Sequence, residues 1–277
     1  MNTELLVSDT RHYRVDYEIN PYMCTAVQPD PARAAAEHAA IVAAHRAAGR
    51  TIRHISPAPE CPDMVYTANA ALVRGDRAVL GAPPPQRAFE IPYFRVWLQA
   101  NGYEVLDAPY AFSGQGDALP CGDLLLAGHG QRTDRRMHAV LADHLGYDIV
   151  ALRTSGPQWY DLDLAVAVIH NPHTIAYCPD ALDRASRGAL HDLGLELIEV
   201  SIDEAAGLAL NLVSDGNTVT MTNGAPRLAA QLREHGLQVV ELDTTELRKG
   251  GGGVRCTALT LDNRPTSREV GARLSAD

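Results

Sequence analysis

Cys256 is the residue whose type and setting most directly indicate chemistry. It lies in the stretch KGGGGVRCTALTL, residues 249–261, shortly after four consecutive glycines. A cysteine thiolate is a strong nucleophile, and glycine lets a backbone turn sharply or lets a ligand approach it closely. The alternative is a small core residue after a linker, because most free cysteines are buried and inert. Alternation of apolar and polar residues after the glycines predicts a strand there.

A set of polar residues recurs along the chain at intervals of 45 to 48 residues: Asn69, Asp117, Asp163, Asn211 and Cys256. Each stands at or just before the start of a short apolar run. If these runs are equivalent strands around a ring, the polar residues converge on its axis and form a central polar site. For any one of them alone, a turn or cap role fits equally well.

The elements around these positions repeat. Four segments share a short apolar run, a polar turn such as Asp215-Gly216, and a second apolar run, which predicts a hairpin. A segment with helical periodicity follows each hairpin and ends at a glycine, and a last strand completes a unit of about 45 residues. The glycines are Gly102, Gly146, Gly194 and Gly236.

A fifth unit is split between the two ends of the chain. Residues 31–56 supply its helix, Gly49 and its last strand, while ELLVSD (4–9) and VRCTALTL (254–261) supply its hairpin. The sequence therefore predicts an α/β fold of five ββαβ units around a pseudo-five-fold axis, a five-bladed propeller whose closed ring leaves few free strand edges. An open α/β sheet is the alternative. We predict one domain over residues 1–263 and a mobile tail over 264–277.

Composition limits the class of protein. The chain has 277 residues, of which 46% are hydrophobic, and a formal net charge of −10, which argues against nucleic acid or an anionic membrane as the main partner. Its five cysteines are scattered without a CxxC pair, which is typical of a reducing cytosol. The charged N-terminus has no signal-like apolar stretch. These features predict a cytoplasmic, soluble protein whose oligomeric state stays open.

Several motifs resemble the guanidine-modifying superfamily of dimethylarginine dimethylaminohydrolases, arginine deiminases, arginine dihydrolases and amidinotransferases, whose fold is the pentein propeller. The resemblance covers residues 4–262, and VDYEINPYM and PDMVYTANAALV look most like the branch that includes arginine dihydrolases. The matching segments are VDYEINPYM (15–23), PDMVYTANAALV (62–73), FSGQGDAL (112–119), GHGQRTD (128–134), WYDLD (159–163) and GGGGVRCTALTL (250–261).

The resemblance implies roles for five residues. Cys256 aligns with the family nucleophile, and Asp63 and Asp163 align with carboxylates that hold the substrate guanidinium. Asn20 aligns with a substrate-contacting asparagine. Asn69 stands where dimethylargininases have a second aspartate and arginine dihydrolases have asparagine.

Two positions depart from the family pattern. The family's FEG reads FSG here, so Ser113 stands in place of a guanidinium-binding glutamate. The family's HLD reads DLD, so Asp161 stands in place of the catalytic histidine. An aspartate in a cluster of carboxylates can act as a base. We therefore predict Asp161 as the catalytic partner of Cys256, and Ser113 as part of the substrate site.

The chemistry follows from the guanidinium group, a planar cation that carboxylates bind through paired hydrogen bonds. A thiolate that attacks its carbon forms a thiouronium-type adduct as ammonia or an amine leaves, and proton transfers are needed at both ends of the reaction. The predicted partner is a small cationic guanidino substrate. No cofactor is predicted, and no metal site either, because no histidine has convincing metal-ligand spacing.

Three functions remain open. The favoured one is an enzyme, a hydrolase acting on a guanidino C–N bond of arginine or a methylated arginine through Cys256, impaired to some degree by the two replacements. The second is a degenerate relative that binds a cationic amino acid as a sensor or regulatory protein. The third is a structural propeller whose polar centre holds only water.

Overall fold

The computed structural model describes residues 1–170 and 173–265. Within these residues the chain forms five three-stranded sheets with helices between the strands. The predicted turn at Asn171-Pro172 and the predicted tail from residue 266 onward lie outside the described residues.

The strands are short, and most contain four to six residues. In chain order they are β1 (Glu4–Val7), β2 (Thr51–His54), β3 (Ala71–Arg74), β4 (Arg77–Leu80), β5 (Glu104–Leu106), β6 (Ala118–Cys121), β7 (Leu124–His129), β8 (Asp148–Arg153), β9 (Val166–His170), β10 (Thr174–Tyr177), β11 (Glu196–Glu199), β12 (Val213–Ser214), β13 (Thr218–Thr222), β14 (Gln238–Leu242) and β15 (Leu259–Thr260).

The helices lie between the hairpins and the third strands, or in the loops that follow a sheet. They are α1 (Pro31–Ala47), α2 (Ile91–Ala100), α3 (Met137–Leu145), α4 (Arg184–Asp192), α5 (Ile202–Ala206), α6 (Pro226–Glu234) and α7 (Thr245–Arg248). Short 3₁₀ turns lie at Thr67–Ala70, Pro85–Glu90, Gly114–Gly116, Leu162–Leu164 and Pro179–Ala181.

Every sheet has the same construction. In the first complete unit β3 and β4 pair antiparallel, and β5, reached through α2, pairs parallel to β4. The same holds for β6-β7-β8, β9-β10-β11 and β12-β13-β14. First strands of neighbouring sheets contact one another, β15 with β3, β6 with β9 and β9 with β12. The predicted five-bladed α/β propeller of ββαβ units is confirmed.

The two ends of the described chain meet in one blade, as predicted. β15 pairs antiparallel with β1 through Leu5↔Thr260 and Leu6↔Leu259, and β1 pairs parallel with β2. The predicted strand over 254–261 is wrong in extent, because only Leu259–Thr260 is extended and paired. The backbone before it turns, so that Thr257 N–H bonds the Gly253 carbonyl and Ala258 N–H bonds that of Arg255. Cys256 therefore lies in a turn at the entrance to the strand.

Local signals explain where the helices begin and end. Asp30 caps α1 by accepting from the Arg33 N–H, and Asp183 caps α4 by accepting from the Ser186 N–H. A glycine follows each main helix in the left-handed region, where other residues are strained. Their φ values are +79° at Gly49, +88° at Gly102, +72° at Gly146, +65° at Gly194 and +81° at Gly236.

The helices pack on the outside of the sheets through a few fully buried side chains. Phe94 and Leu98 of α2 join Val73 and Leu80 in one apolar cluster. Truncating one such side chain to alanine costs about 2–5 kcal/mol.

Three histidines of the helices are buried, His38 and His45 of α1 and His138 of α3. Burial lowers the pKa of His38 to about 4 and that of His45 to about 3, so both rings are neutral near pH 7. His45 bonds the Arg50 guanidinium and His138 bonds the Gly128 carbonyl, so these rings are part of the core packing. In the described residues no helix is long and apolar enough to cross a membrane.

Candidate active site

The polar residues that recur with the repeat converge at the centre of the ring. Asn211 Nδ2 donates to Asp163 Oδ2 at 3.0 Å and to Cys256 Sγ at 3.1 Å. Asp117 Oδ1 accepts from the Leu162 N–H at 2.9 Å, which links the segment before β6 to the segment before β9. Burial and the nearby Asp161 carboxylate raise the pKa of Asp117 to about 7. The spacing in the sequence therefore predicted a real cluster.

A small cavity lies beside this cluster. It holds the predicted nucleophile, one predicted carboxylate and both predicted asparagines. Its lining consists of Ile19, Asn20, Asp63, Tyr66, Asn69, Arg87, Arg132, Tyr160, Gly250, Gly252 and Cys256.

The glycine run is packed tightly against the wall of this cavity. A Cβ atom on Gly252 would lie 2.4 Å from the Tyr66 ring and 2.9 Å from the Cys256 Cβ. A Cβ on Gly250 would lie 2.3 Å from the Tyr66 hydroxyl, and Gly251 has φ +96°. Close approach of the backbone to tyrosine rings therefore requires these glycines.

Cys256 lines the cavity although only 2% of its surface is exposed. Its Sγ lies 3.1 Å from Asn211 Nδ2 and 3.5 Å from Asp163 Oδ2. Burial, followed by the Asp163 and Asp161 carboxylates, raises the pKa of the thiol well above its ordinary value. A cation that enters the cavity favours the thiolate, because it offsets these negative charges.

Asp63 is the carboxylate that faces the cavity. Its Oδ2 accepts from the Tyr17 hydroxyl at 3.0 Å and lies 4.0 Å from Arg87 Nε. Its Oδ1 is buried and has no hydrogen-bond partner among the described residues. The pKa of Asp63 is raised to about 6. Burial is the main cause, the Glu90 carboxylate raises the pKa further, and the Arg87 guanidinium lowers it in part.

Ser113 and Asp161, the two departures from the family pattern, contact each other. Ser113 Oγ donates to Asp161 Oδ1 at 2.6 Å, and Asn69 Nδ2 donates to Asp161 Oδ2 at 3.0 Å. Arg132 Nη1 lies 3.6 Å from the same carboxylate. Neither Ser113 nor Asp161 is part of the cavity lining, but Asn69 and Arg132, which touch Asp161, are.

Asp163 contacts the thiol but does not line the cavity that Cys256 lines. We expected it to line the same cavity as Cys256, but it lines a second one together with Arg255, Leu119 and Val166. Leu119 and Val166 of this second cavity belong to β6 and β9, the first strands of two neighbouring sheets. Within the part of the chain that the structure describes, Asp163 Oδ2 bonds Cys256 Sγ and Asn211, and the buried Oδ1 has no hydrogen-bond partner.

Asn20 lines the cavity beside the first glycine of the loop. Its Nδ2 donates to the Gly250 carbonyl at 3.2 Å, and its Oδ1 accepts from the Tyr22 N–H at 2.9 Å. Its predicted contact with substrate stays a prediction, supported by its position in the cavity wall.

Two arginines of the cavity wall were not predicted as site residues. Arg87 follows the proline-rich loop GAPPPQ, donates to Asn69 Oδ1 at 2.7 Å and pairs with both oxygens of Glu90. Arg132 pairs with Asp161, as expected of a structural residue, but it also lines the cavity and lies 4.1 Å from the centroid of the Tyr160 ring. Arg132 lies within the recognised segment GHGQRTD, and Arg87 follows the segment PDMVYTANAALV, but neither segment assigned a site role to these arginines.

The tight packing of the glycine loop predicts a large effect of a single methyl group. Gly252→Ala should lower the free energy of unfolding by about 1–3 kcal/mol, because Tyr66 is held by its hydrogen bond to the Leu247 carbonyl and cannot move freely. It should also slow alkylation of Cys256, whose Cβ is the next contact. Thermal unfolding and labelling measure the two effects.

Gly188→Ala is the matched control, because a Cβ at this position of α4 meets nothing within 4 Å. It should leave stability unchanged or raise it by up to about 1 kcal/mol. Equal behaviour of the two variants would contradict the close-packed loop.

Among the described residues no group of three or more histidine, cysteine, aspartate or glutamate side chains has the arrangement to hold a metal ion. No histidine of the described residues lines the cavity with Cys256 either.

Comparison with known sequences gives consistent matches. The family model described as N,N dimethylarginine dimethylhydrolase, eukaryotic, matches residues 25–261. The N(G),N(G)-dimethylarginine dimethylaminohydrolase of Mycobacterium tuberculosis is 38% identical over 90% of this chain and 82% of its own length. The bifunctional arginine dihydrolase/ornithine cyclodeaminase AgrE of a Nostoc species is 33% identical over 95% of this chain, which spans only 38% of that protein.

Solved structures extend the similarity. The N-terminal domain of ArgZ, an arginine dihydrolase from the ornithine–ammonia cycle in cyanobacteria solved with its product bound, matches with a TM-score of 0.90 and 30% identity. The match covers 95% of this chain and 99% of that domain. A dimethylarginine dimethylaminohydrolase solved as an adduct with 4-chloro-2-hydroxymethylpyridine matches with a TM-score of 0.76 and 24% identity, which supports the fold alone.

Proposed function

This chain belongs to the dimethylarginine dimethylaminohydrolase family, and we propose that it hydrolyses a guanidino C–N bond of arginine or of a methylated arginine with Cys256 as nucleophile. The names of its relatives support this substrate class, because they include both dimethylarginine hydrolases and arginine dihydrolases. Our proposal also covers the predicted roles of Asp63, Asn69 and Asn20 in binding the substrate.

One observation carries the proposal, namely an unpaired carboxylate oxygen in the same cavity as the thiol. Asp63 Oδ1 is buried without a hydrogen-bond partner among the described residues, which is costly unless a ligand supplies a donor. A guanidinium supplies paired N–H donors in one plane, together with a positive charge. Such a cation would neutralise Asp63 and favour the thiolate of Cys256 at the same time.

The reaction then follows from ordinary thiol chemistry. The thiolate attacks the guanidinium carbon and forms a C–S bond, and the C–N bond breaks as ammonia or a methylamine leaves with a proton. Water next adds to the adduct carbon, the C–S bond breaks, and the ureido product and the thiol are released. A relative, the N-terminal domain of an ArgZ variant, has been solved covalently bound to a reaction intermediate.

Asp161 is our candidate for the proton transfers. Its carboxylate is buried and contacts two residues of the cavity wall, Asn69 and Arg132. Protons would therefore travel through those contacts or through water, because Asp161 itself does not line the cavity. Such an indirect route predicts turnover slower than that of a relative with a histidine at this position.

The runner-up is a guanidino-binding protein that forms the adduct but does not hydrolyse it. The absence of a histidine from the cavity lining in the described residues favours this alternative. Both functions need Asp63 and Cys256, so binding alone does not distinguish them.

Product analysis distinguishes them. The protein is incubated with arginine, methylarginines and agmatine, and citrulline, ornithine, ammonia and methylamine are measured together with the mass of the protein. Catalytic release of product supports the hydrolase. A stable mass increase on Cys256 without release supports the binder, and neither product nor adduct with any of these compounds contradicts the proposal.

Ligand affinity should depend on pH through Asp63. Burial raises the pKa of this carboxyl to about 6, so it is ionised above pH 6 and becomes neutral below it. The dissociation constant for arginine should therefore be nearly constant from pH 7 to 8 and rise about tenfold per unit well below pH 6. Calorimetric titration at several pH values measures this.

Asp63→Asn is the control for this prediction. It keeps the shape and removes the charge, so binding should be weak and nearly independent of pH in the same range. An affinity of the unmodified protein that stays constant from pH 5 to 7 would exclude Asp63 as the binding carboxylate.

A further inference from the structure

Asn211 makes more contacts to the nucleophile and its loop than any role in the predicted mechanism requires. Its Oδ1 accepts from the backbone N–H groups of Gly253 at 3.0 Å, Arg255 at 3.1 Å and Cys256 at 3.1 Å. Its Nδ2 donates to Cys256 Sγ at 3.1 Å and to Asp163 Oδ2 at 3.0 Å. Asn211 is also 1% exposed, so water does not compete for these bonds.

The environment of the sulfur is otherwise unfavourable to negative charge. Asp163 Oδ2 lies 3.5 Å away, Asp161 adds a second negative charge, and burial removes water. The Arg255 guanidinium interacts with both Asp163 and the sulfur and offsets part of this negative charge, and the Tyr22 and Tyr160 phenols are close enough to interact with the sulfur as well.

Asn211 Nδ2 is the hydrogen-bond donor that the structure places at the sulfur, at 3.1 Å, and the Gly253 backbone N–H, which bonds Asn211 Oδ1, lies nearby. Both lower the pKa of the thiol, against burial and the carboxylates that raise it. A neutral donor has a particular advantage here. A lysine or arginine in its place would also stabilise a thiolate, but it would add a further positive side chain to a site that Arg87 and Arg132 already line and that must accept a cationic substrate.

We propose that Asn211 is a catalytic residue that stabilises the Cys256 thiolate by donating Nδ2–H to its sulfur, while its Oδ1 holds the turn that presents the sulfur to the cavity. This inference rests on the proposed function, since it assumes that Cys256 reacts as a thiolate. Two separate roles follow from the two ends of one amide. The acceptor end sets geometry, and the donor end sets reactivity.

Asn211→Asp separates the two roles. The aspartate keeps an oxygen for the three backbone N–H groups, but it replaces the donor with an oxygen that faces Cys256 Sγ and Asp163. The probe is iodoacetamide, a neutral reagent whose reaction does not depend on cation binding or turnover. The rate of Cys256 alkylation is followed by mass spectrometry from pH 6 to 10.

We expect Asn211→Asp to lower the labelling rate at pH 7.5 at least tenfold and to move the midpoint of the pH profile up by at least one unit. Asn263→Asp is the matched control, because Asn263 is also buried but its Nδ2 bonds the Val73 carbonyl away from the cavity with Cys256. It should keep the profile of the unmodified protein. Thermal unfolding is measured for both, and Asn211→Ala, which removes both ends of the amide, provides a second loss of the donor if the aspartate variant does not fold.

An unchanged rate and pH profile in a folded Asn211→Asp or Asn211→Ala variant would overturn the inference, since the Asn211 donor would then have no effect on the reactivity of the sulfur. Failure of the unmodified protein to label at Cys256 would overturn the proposed function as well. Labelling without turnover, by contrast, would leave the role of Asn211 intact and count against hydrolysis alone.

Discussion

Cys256→Ser should reduce hydrolysis of every guanidino substrate by at least about 10³-fold, to the level of the uncatalysed reaction. The serine hydroxyl fits the same site and keeps the bond to Asn211, but it is a far weaker nucleophile because its pKa is far above that of a thiol, and no histidine of the described residues lines this cavity to take its proton. Affinity for arginine should change little, because Asp63 is untouched. Product analysis and calorimetric titration measure the two quantities on the same preparation.

Labelling tests the same residue independently of turnover. A haloacetamidine reagent, which resembles guanidinium, should modify Cys256 faster than ordinary free thiols, and arginine should protect it. Cys24→Ser is the control, because Cys24 is the exposed cysteine of the chain and does not line the cavity. If Cys24→Ser lost activity or fast labelling while Cys256→Ser kept both, Cys24 rather than Cys256 would be the nucleophile.

The fold was predictable because each level of the sequence agreed with the others. Turn residues, helix-ending glycines such as Gly146 and Gly236, and the repeat of about 45 residues all indicated the same unit. The split blade was predictable for the same reason, since the ends of the chain each carried one part of a missing unit. Pairing of Leu5 with Thr260 confirms it.

Local geometry near the nucleophile was less predictable. Alternation after Val254 indicated a strand, but the Cys256 backbone is committed to Asn211 Oδ1 and turns instead. That bond joins residues far apart in the sequence, and no local pattern reports it. The glycines indicated an unusual backbone, but only the position of Tyr66 shows that close packing is the reason.

Polar and charged residues of the site were predicted only where they lie in a recognised motif. Asp63 and Asn69 lie in the cavity wall, as expected of residues in a recognised segment. Arg87 was missed because its place depends on Glu90 and Asn69, two partners that the loop sequence does not identify in advance. Contact between Ser113 and Asp161 was also unpredicted, and it changes how the two replacements are understood.

Because Ser113 Oγ lies 2.6 Å from Asp161 Oδ1, the two departures from the family pattern form one coupled pair. Ser113→Glu alone would place a second carboxylate against Asp161, where like charges repel and a proton is shared. Asp161→His alone would place an imidazole beside Arg132, whose Nη1 now lies 3.6 Å from the carboxylate. Each single change should therefore leave turnover low or reduce it further.

The double variant Ser113→Glu with Asp161→His should instead raise turnover of arginine or a methylarginine by about 10²-fold or more, since an imidazole that transfers protons contributes about 10²–10⁴ in rate. The new glutamate supplies both a partner for the imidazole and an anchor for the guanidinium. Steady-state rates and the fraction of protein carrying the adduct are measured for all four proteins, and the adduct fraction should fall in the double variant. The change in turnover of the double variant should exceed the sum of the changes in the two single variants, because the two residues touch. Fast turnover in the unmodified protein, with no gain in the double variant, would contradict this prediction and would show that another residue, with Asp161 as the first candidate, already performs the proton transfer.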